Sequence, residues 1–120
     1  MRIDKDLVAA SATPLVLGIL EGEKMHGYAI IKRVSELSGD EMQWTDGMLY
    51  PLLHRLERLG YLRSSWGTSE AGRRRKDYAI TEAGRAALAE RRGQWDVVAA
   101  ALRQVWHTAQ RPPAMETGWA

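Results

Sequence analysis

The side chains best placed to do chemistry in this 120-residue chain are cations crowded into one short stretch. Residues 55–76 hold 7 basic and 2 acidic side chains, against 5 and 8 in residues 1–54 and 5 and 5 in residues 77–120. The formal net charge of +2 conceals this clustering. A compact basic block can displace the counterions condensed on a phosphate backbone, whereas the same charge spread evenly would mainly solvate the surface. On charge alone, a solvated basic loop stays equally open.

Covalent chemistry has no comparable support. The chain has no Cys, so disulfides and thiolate metal sites are excluded. His26, His54 and His107 are far apart, and none has a second ligand at metal-binding spacing. There is no Gly-x-Ser-x-Gly, no P-loop and no His-Glu-x-x-His, and the paired acids Asp40 and Glu41 fall in a connecting turn. An enzyme is not expected, and no cofactor is called for. The longest uncharged run near the start, Leu7–Leu20, is too short to cross a bilayer. The acidic residues just before it suit a signal peptide poorly, so a cytoplasmic protein with no membrane partner is expected.

The elements that must position the basic block can be read from local patterns. Thr13–Pro14 has the form of a helix start, a hydroxyl cap followed by a residue that loses no hydrogen bond in the first turn. Residues 4–11 would then be a separate or kinked segment. In Met25–Leu37, Tyr28, Ile31 and Val34, with Ile30 and Leu37, recur at helical spacing and predict a second helix. Ser38-Gly39-Asp40 ends it, and Thr45 or Asp46 caps a third. That helix carries Leu49, Leu52, Leu53, Leu56 and Leu59 on one face, with Tyr50, His54, Arg55 and Arg58 away from it, and Gly60 stops it. Pro51 predicts a late start or a kink.

Residues 62–66 and 76–80 alternate as strands, joined by the basic loop Gly67–Arg75 into a hairpin mobile at its tip. Thr81 caps a long helix running to about Trp106. Leu88, Trp95 and Leu102 repeat at seven with Val98 and Val105 as a second row, a coiled-coil-like seam that wants a partner. Residues 107–120 contain Pro112-Pro113 and Gly118 and read as a disordered tail. The fold class is therefore mainly α with a small β-hairpin. It is a winged helix-turn-helix over residues 1–80, followed by a C-terminal dimerisation helix over residues 81–106. The third helix would enter the major groove of a DNA duplex, with the hairpin beside it as a wing.

Three stretches carry a resemblance to the PadR family of transcriptional regulators. They are Gly27-Tyr28-Ala29-Ile30, Gly47-Met48-Leu49-Tyr50-Pro51-Leu52-Leu53-His54-Arg55-Leu56-Glu57, and Gly72-Arg73-Arg74-Arg75-Lys76-Asp77-Tyr78-Ala79-Ile80-Thr81-Glu82-Ala83-Gly84. The resemblance spans roughly residues 14–106 and implies a homodimeric repressor that binds a duplex operator. It marks Tyr50, His54 and Arg55 on the recognition helix, and Arg73, Arg74, Arg75 and Lys76 on the wing, as DNA-binding residues, with a packing role equally open for Tyr50 as a half-buried phenol. Family members often carry a small hydroxylated residue where this chain has Met48, so no hydroxyl contact carries over there. Alternation along the returning strand means that the four wing cations cannot meet DNA equally.

Tryptophans divide the remaining expectations. In some similar regulators a tryptophan placed like Trp95 faces its symmetry mate across the dimer. Two indoles about 7 Å apart could sandwich one planar aromatic effector. The plainer reading makes Trp95 part of the apolar seam. Trp66 is expected to anchor the wing to the helices, and Trp106 to sit at the seam or helix end. A ligand-sensing dimer with secondary DNA contact, or a protein-interaction adaptor on the same fold, remain the alternatives.

Overall fold

The computed structural model describes residues 1–109, and side chains through residue 107. It contains four helices and three strands in the order α1 (Lys5–Gly22), β1 (Met25–His26), α2 (Gly27–Leu37), α3 (Asp46–Arg58), β2 (Leu62–Thr68), β3 (Arg74–Ile80) and α4 (Glu82–Ala109). This is the expected winged helix-turn-helix followed by a long helix. Two compact units divide at Ala89/Glu90 rather than at residue 80. The first turns of α4 belong to the winged unit because Leu88 is buried in its core.

α1 corrects the expected start at Thr13. Asp4 caps it, its carboxylate accepting from the Asp6 amide at 2.9 Å, and the helix runs unbroken through Pro14. Pro14 cannot donate to the Ala10 carbonyl, but Ala10 is exposed and that carbonyl can turn to water. Burial of Val16, Leu17 and Leu20 on one face outweighs the missing bond. α2 begins two residues later than expected and buries Gly27, Ile30 and Val34, while Tyr28 points to solvent. The turn into α3 takes left-handed backbone at Gly39 and Asp40, and Ser35 Oγ donates to the Asp40 carboxylate at 2.8 Å.

α3 starts at Asp46 with no late start, because Thr45 Oγ1 accepts from the Met48 amide at 3.3 Å. Pro51 sits inside it on the exposed face. Leu49, Leu52, Leu53 and Leu56 fill the core, whereas Leu59, expected on the same face, follows the last helical residue Arg58 and is exposed. The helix ends at Gly60, whose φ of +82° lets its amide reach the Glu57 carbonyl at 3.0 Å and the Tyr61 amide reach the Leu56 carbonyl at 2.9 Å.

The expected hairpin is the larger part of a three-stranded antiparallel sheet ordered β1-β3-β2. β1, read in sequence as the start of a helix, pairs Met25 with Tyr78 and His26 with Asp77. β2 and β3 pair from Leu62↔Ile80 to Thr68↔Arg74, so the strands extend further into the basic loop than alternation indicated. The tip is hydrogen-bonded: Ser69 donates to the Arg73 carbonyl at 2.8 Å, and Gly72, at φ +79°, donates to the Ser69 carbonyl at 2.9 Å.

Thr81 caps α4 as expected, accepting from the Gly84 amide at 3.0 Å and donating to the Gly60 carbonyl at 2.6 Å. α4 continues to Ala109, so residues 107–109 are helical rather than tail. The remainder of the expected tail, residues 110–120, lies outside the described residues.

Tyr78, fully buried at the sheet's centre, gives the fold an alkaline limit. Its burial, then the nearby Glu57 carboxylate and Tyr50, hold its phenol above the usual value of 10.0. A raised phenol pKa means that the native state keeps its proton more tightly than the unfolded chain. The associated stability is present below about pH 10 and lost as pH rises through the folded value. Denaturant midpoints should fall above about pH 10, and Tyr78→Phe should flatten part of that fall.

Candidate nucleic-acid interface

The leucine face of α3 decides which residues are left outward. With Leu49, Leu52, Leu53 and Leu56 buried, helical geometry turns Gly47, Pro51, His54 and Arg58 along one outer line, with Arg55 beside it. His54, Arg55 and Arg58 are all exposed. Arg58 was not among the site residues marked from sequence, although its four-residue spacing from His54 is the signal that places it there.

Tyr50 is half-buried and has a packing role. Its phenol lies over the start of α2, where a Cβ on Gly27 would meet Tyr50 Cζ at 2.7 Å. The missing side chain of Gly27 leaves the space that the Tyr50 phenol occupies. The Tyr50 and His54 rings are 6.4 Å apart at 45°, so the tyrosine also backs one outward residue of α3.

The four wing cations split into two pairs. Arg73 and Arg74 are exposed near the tip, and neither has an acidic partner among the ion pairs of the described residues. Arg75 and Lys76 are engaged: Arg75 Nε is 3.4 Å from the buried Asp77 carboxylate, and Lys76 Nζ is 3.9 Å from Glu57 on α3. Glu57 also accepts from Ser64 Oγ of β2 at 2.6 Å, so one α3 carboxylate grips both wing strands. Asp77, two residues from Arg75 on the same strand, was visible in sequence by the period of two. The Glu57 contacts depend on tertiary placement and were not.

Trp66 corrects its expectation as a wing anchor. It is 61% exposed, and the Arg74 guanidinium carbon stands 4.7 Å from its ring centroid. On α4, Trp95 is half-buried and Trp106 exposed. Among the described residues no group of three or more His, Asp or Glu stands close enough to hold a metal ion. No helix among them is long and apolar enough to cross a membrane.

A capped recognition helix with a polar and cationic outer line, backed by a second helix and flanked by a basic two-stranded wing, defines a winged helix-turn-helix protein that binds DNA. The chain belongs to the PadR-like transcriptional regulator family, whose model matches residues 16–90. It is similar to a transcriptional regulator of Mycobacterium tuberculosis, 44% identical over 75 residues that cover 62% of this chain and 69% of that one. Among solved structures it is similar to a PadR family regulator from Eggerthella lenta, with a TM-score of 0.74 and 31% identity over 86% of this chain and 88% of that one. A transcriptional regulator from Clostridium thermocellum shares the fold, with a TM-score of 0.77 and 24% identity over 85% of this chain and 96% of that one. Membership bears out the expectation of a DNA-binding transcriptional regulator rather than an enzyme.

Proposed function

We propose that the protein is a homodimeric repressor that meets operator DNA with α3 and the wing. The observation that carries this reading is the outward line of His54, Arg55 and Arg58 on α3, together with the wing cations Arg73 and Arg74, which have no acidic partner among the described residues. Arg75 and Lys76 take a smaller part because Asp77 and Glu57 already hold them. Tyr50 shapes the motif more than it touches DNA. Support for a second copy comes from Val98, Leu102, Val105 and Trp106 on α4, each between 41% and 63% exposed. Four large apolar side chains within nine residues of a helix make a surface that association would bury.

The half-buried Trp95, seven residues from both Leu88 and Leu102, supports a planar aromatic effector held between the two copies. An effector that releases DNA must bind the free dimer more tightly than the DNA-bound one, since equal affinity shifts no equilibrium.

The test is selection of duplexes from a random pool by the purified protein, with the mass of the free protein and of the complex measured in solution. Two protein copies on an enriched two-fold site, and quenching by planar aromatics that Trp95→Ala abolishes, are the expected results. A monomer in both states, or no enriched duplex, would overturn the reading. Quenching unchanged by Trp95→Ala would move the effector elsewhere.

A further inference from the structure

We propose that Trp66 is a positioning residue for DNA binding, its indole holding the Arg74 guanidinium in the pose in which the wing meets the duplex. The inference rests on the DNA-binding reading of the wing and adds a residue to it.

Trp66 has no packing reason to be large, since most of its surface faces solvent. The register explains its neighbour: Trp66 lies opposite Lys76 and Thr68 opposite Arg74, so Trp66 and Arg74 are diagonal neighbours on one face of the hairpin. Ser64 and Lys76 belong to the same face, and both touch Glu57 of α3. The face bearing Trp66 and Arg74 is therefore the continuation, toward the tip, of the face that looks at the recognition helix. A duplex lying along α3 would meet it.

The chain holds its wing cations in two chemically different ways. Arg75 and Lys76 stand in ion pairs with carboxylates, which offset their charge. Arg74 lies over a π face 4.7 Å away, which restrains the guanidinium without offsetting its charge, so that its N–H groups can still serve phosphate or minor-groove acceptors. An exposed arginine otherwise has many rotamers to lose on binding, and stacking on Trp66 removes part of that loss beforehand.

The experiment uses a duplex enriched by the wild-type protein and reads affinity by fluorescence anisotropy for wild type, Trp66→Leu, Trp66→Tyr, Arg74→Ala and Trp66→Leu with Arg74→Ala. Leu keeps apolar bulk without a π face, and Tyr keeps the face. Trp66→Leu should weaken binding about fivefold and Trp66→Tyr by less than about twofold. Adding Trp66→Leu to Arg74→Ala should cost nothing further, because the tryptophan acts through that arginine. Wild-type affinity in Trp66→Leu would overturn the proposal. So would the same loss with and without Arg74, which would make Trp66 a direct contact or a fold residue. Failure of the wild type to enrich any duplex would instead remove the DNA reading beneath it.

Discussion

Changing Arg73 and Arg74 together to Ala is expected to weaken duplex binding roughly 10- to 100-fold near physiological salt, and to lower the slope of log affinity against log salt by about two. Each free cation that neutralises a phosphate releases about one counterion, and both side chains are exposed beside the bonded tip. Arg75→Ala and Lys76→Ala should each change the slope by clearly less than one, because Asp77 and Glu57 already offset those charges. Arg75→Ala should show its effect in stability instead. It leaves the buried Asp77 carboxylate without a counter-charge, at about 1–2 kcal/mol once the solvent around the half-exposed arginine is allowed for. Anisotropy over a salt series, with thermal melts of the same variants, separates the two kinds of loss. A slope change of about one for each of Arg75→Ala and Lys76→Ala would show that the acidic partners do not matter on DNA.

The largest stability effect is expected from Gly84→Ala, about 3 kcal/mol or more. A Cβ there would run into the backbone carbonyl of Tyr61 and lie 2.7 Å from Ile80 Cγ1. A carbonyl within the joint between α3, β2 and α4 cannot step aside as a side-chain tip can, so the strain must be spread through all three. A fall in melting temperature on the order of 10 °C should result. Gly93, further along α4, has nothing within 4 Å of its Cβ position. Gly93→Ala should raise helix stability by about 1 kcal/mol, so the same substitution in one helix is predicted to have opposite signs.

Local chemistry made much of this fold legible in sequence. The Thr45 cap, the leucine face of α3 as far as Leu56, the stop at Gly60 and the Thr81 cap each depend on residues within a turn or two, and each appears where its pattern lies. Pro14 misled because a helix start and a proline inside a well-buried helix look alike until the burial of Val16, Leu17 and Leu20 is known. β1 has two residues, too few for any period to show, and exists only because β3 offers it an edge. For the site, sequence found the right surface but not its division. Alternation placed Trp66 with Leu62 and Ser64, correctly, yet that face outruns the helices it packs on, so its last tryptophan meets solvent and Arg74. Which wing cations stay free depended on Glu57, brought in from another element.

The joint at Gly60, Tyr61 and Thr81 also bears on how a regulator of this build can be tuned. Thr81 Oγ1 bonds the Gly60 carbonyl that follows the last turn of α3, the Thr81 amide bonds the Tyr61 carbonyl, and Gly84 lies against that same carbonyl. The first turn of α4 and the tail end of α3 are thus geared through one piece of main chain with no slack between them. A tilt at the base of α4 would therefore load the end of the recognition helix through main-chain contacts. Surface substitutions would leave this linkage in place, because it runs through the Gly60 and Tyr61 carbonyls and the Thr81 amide.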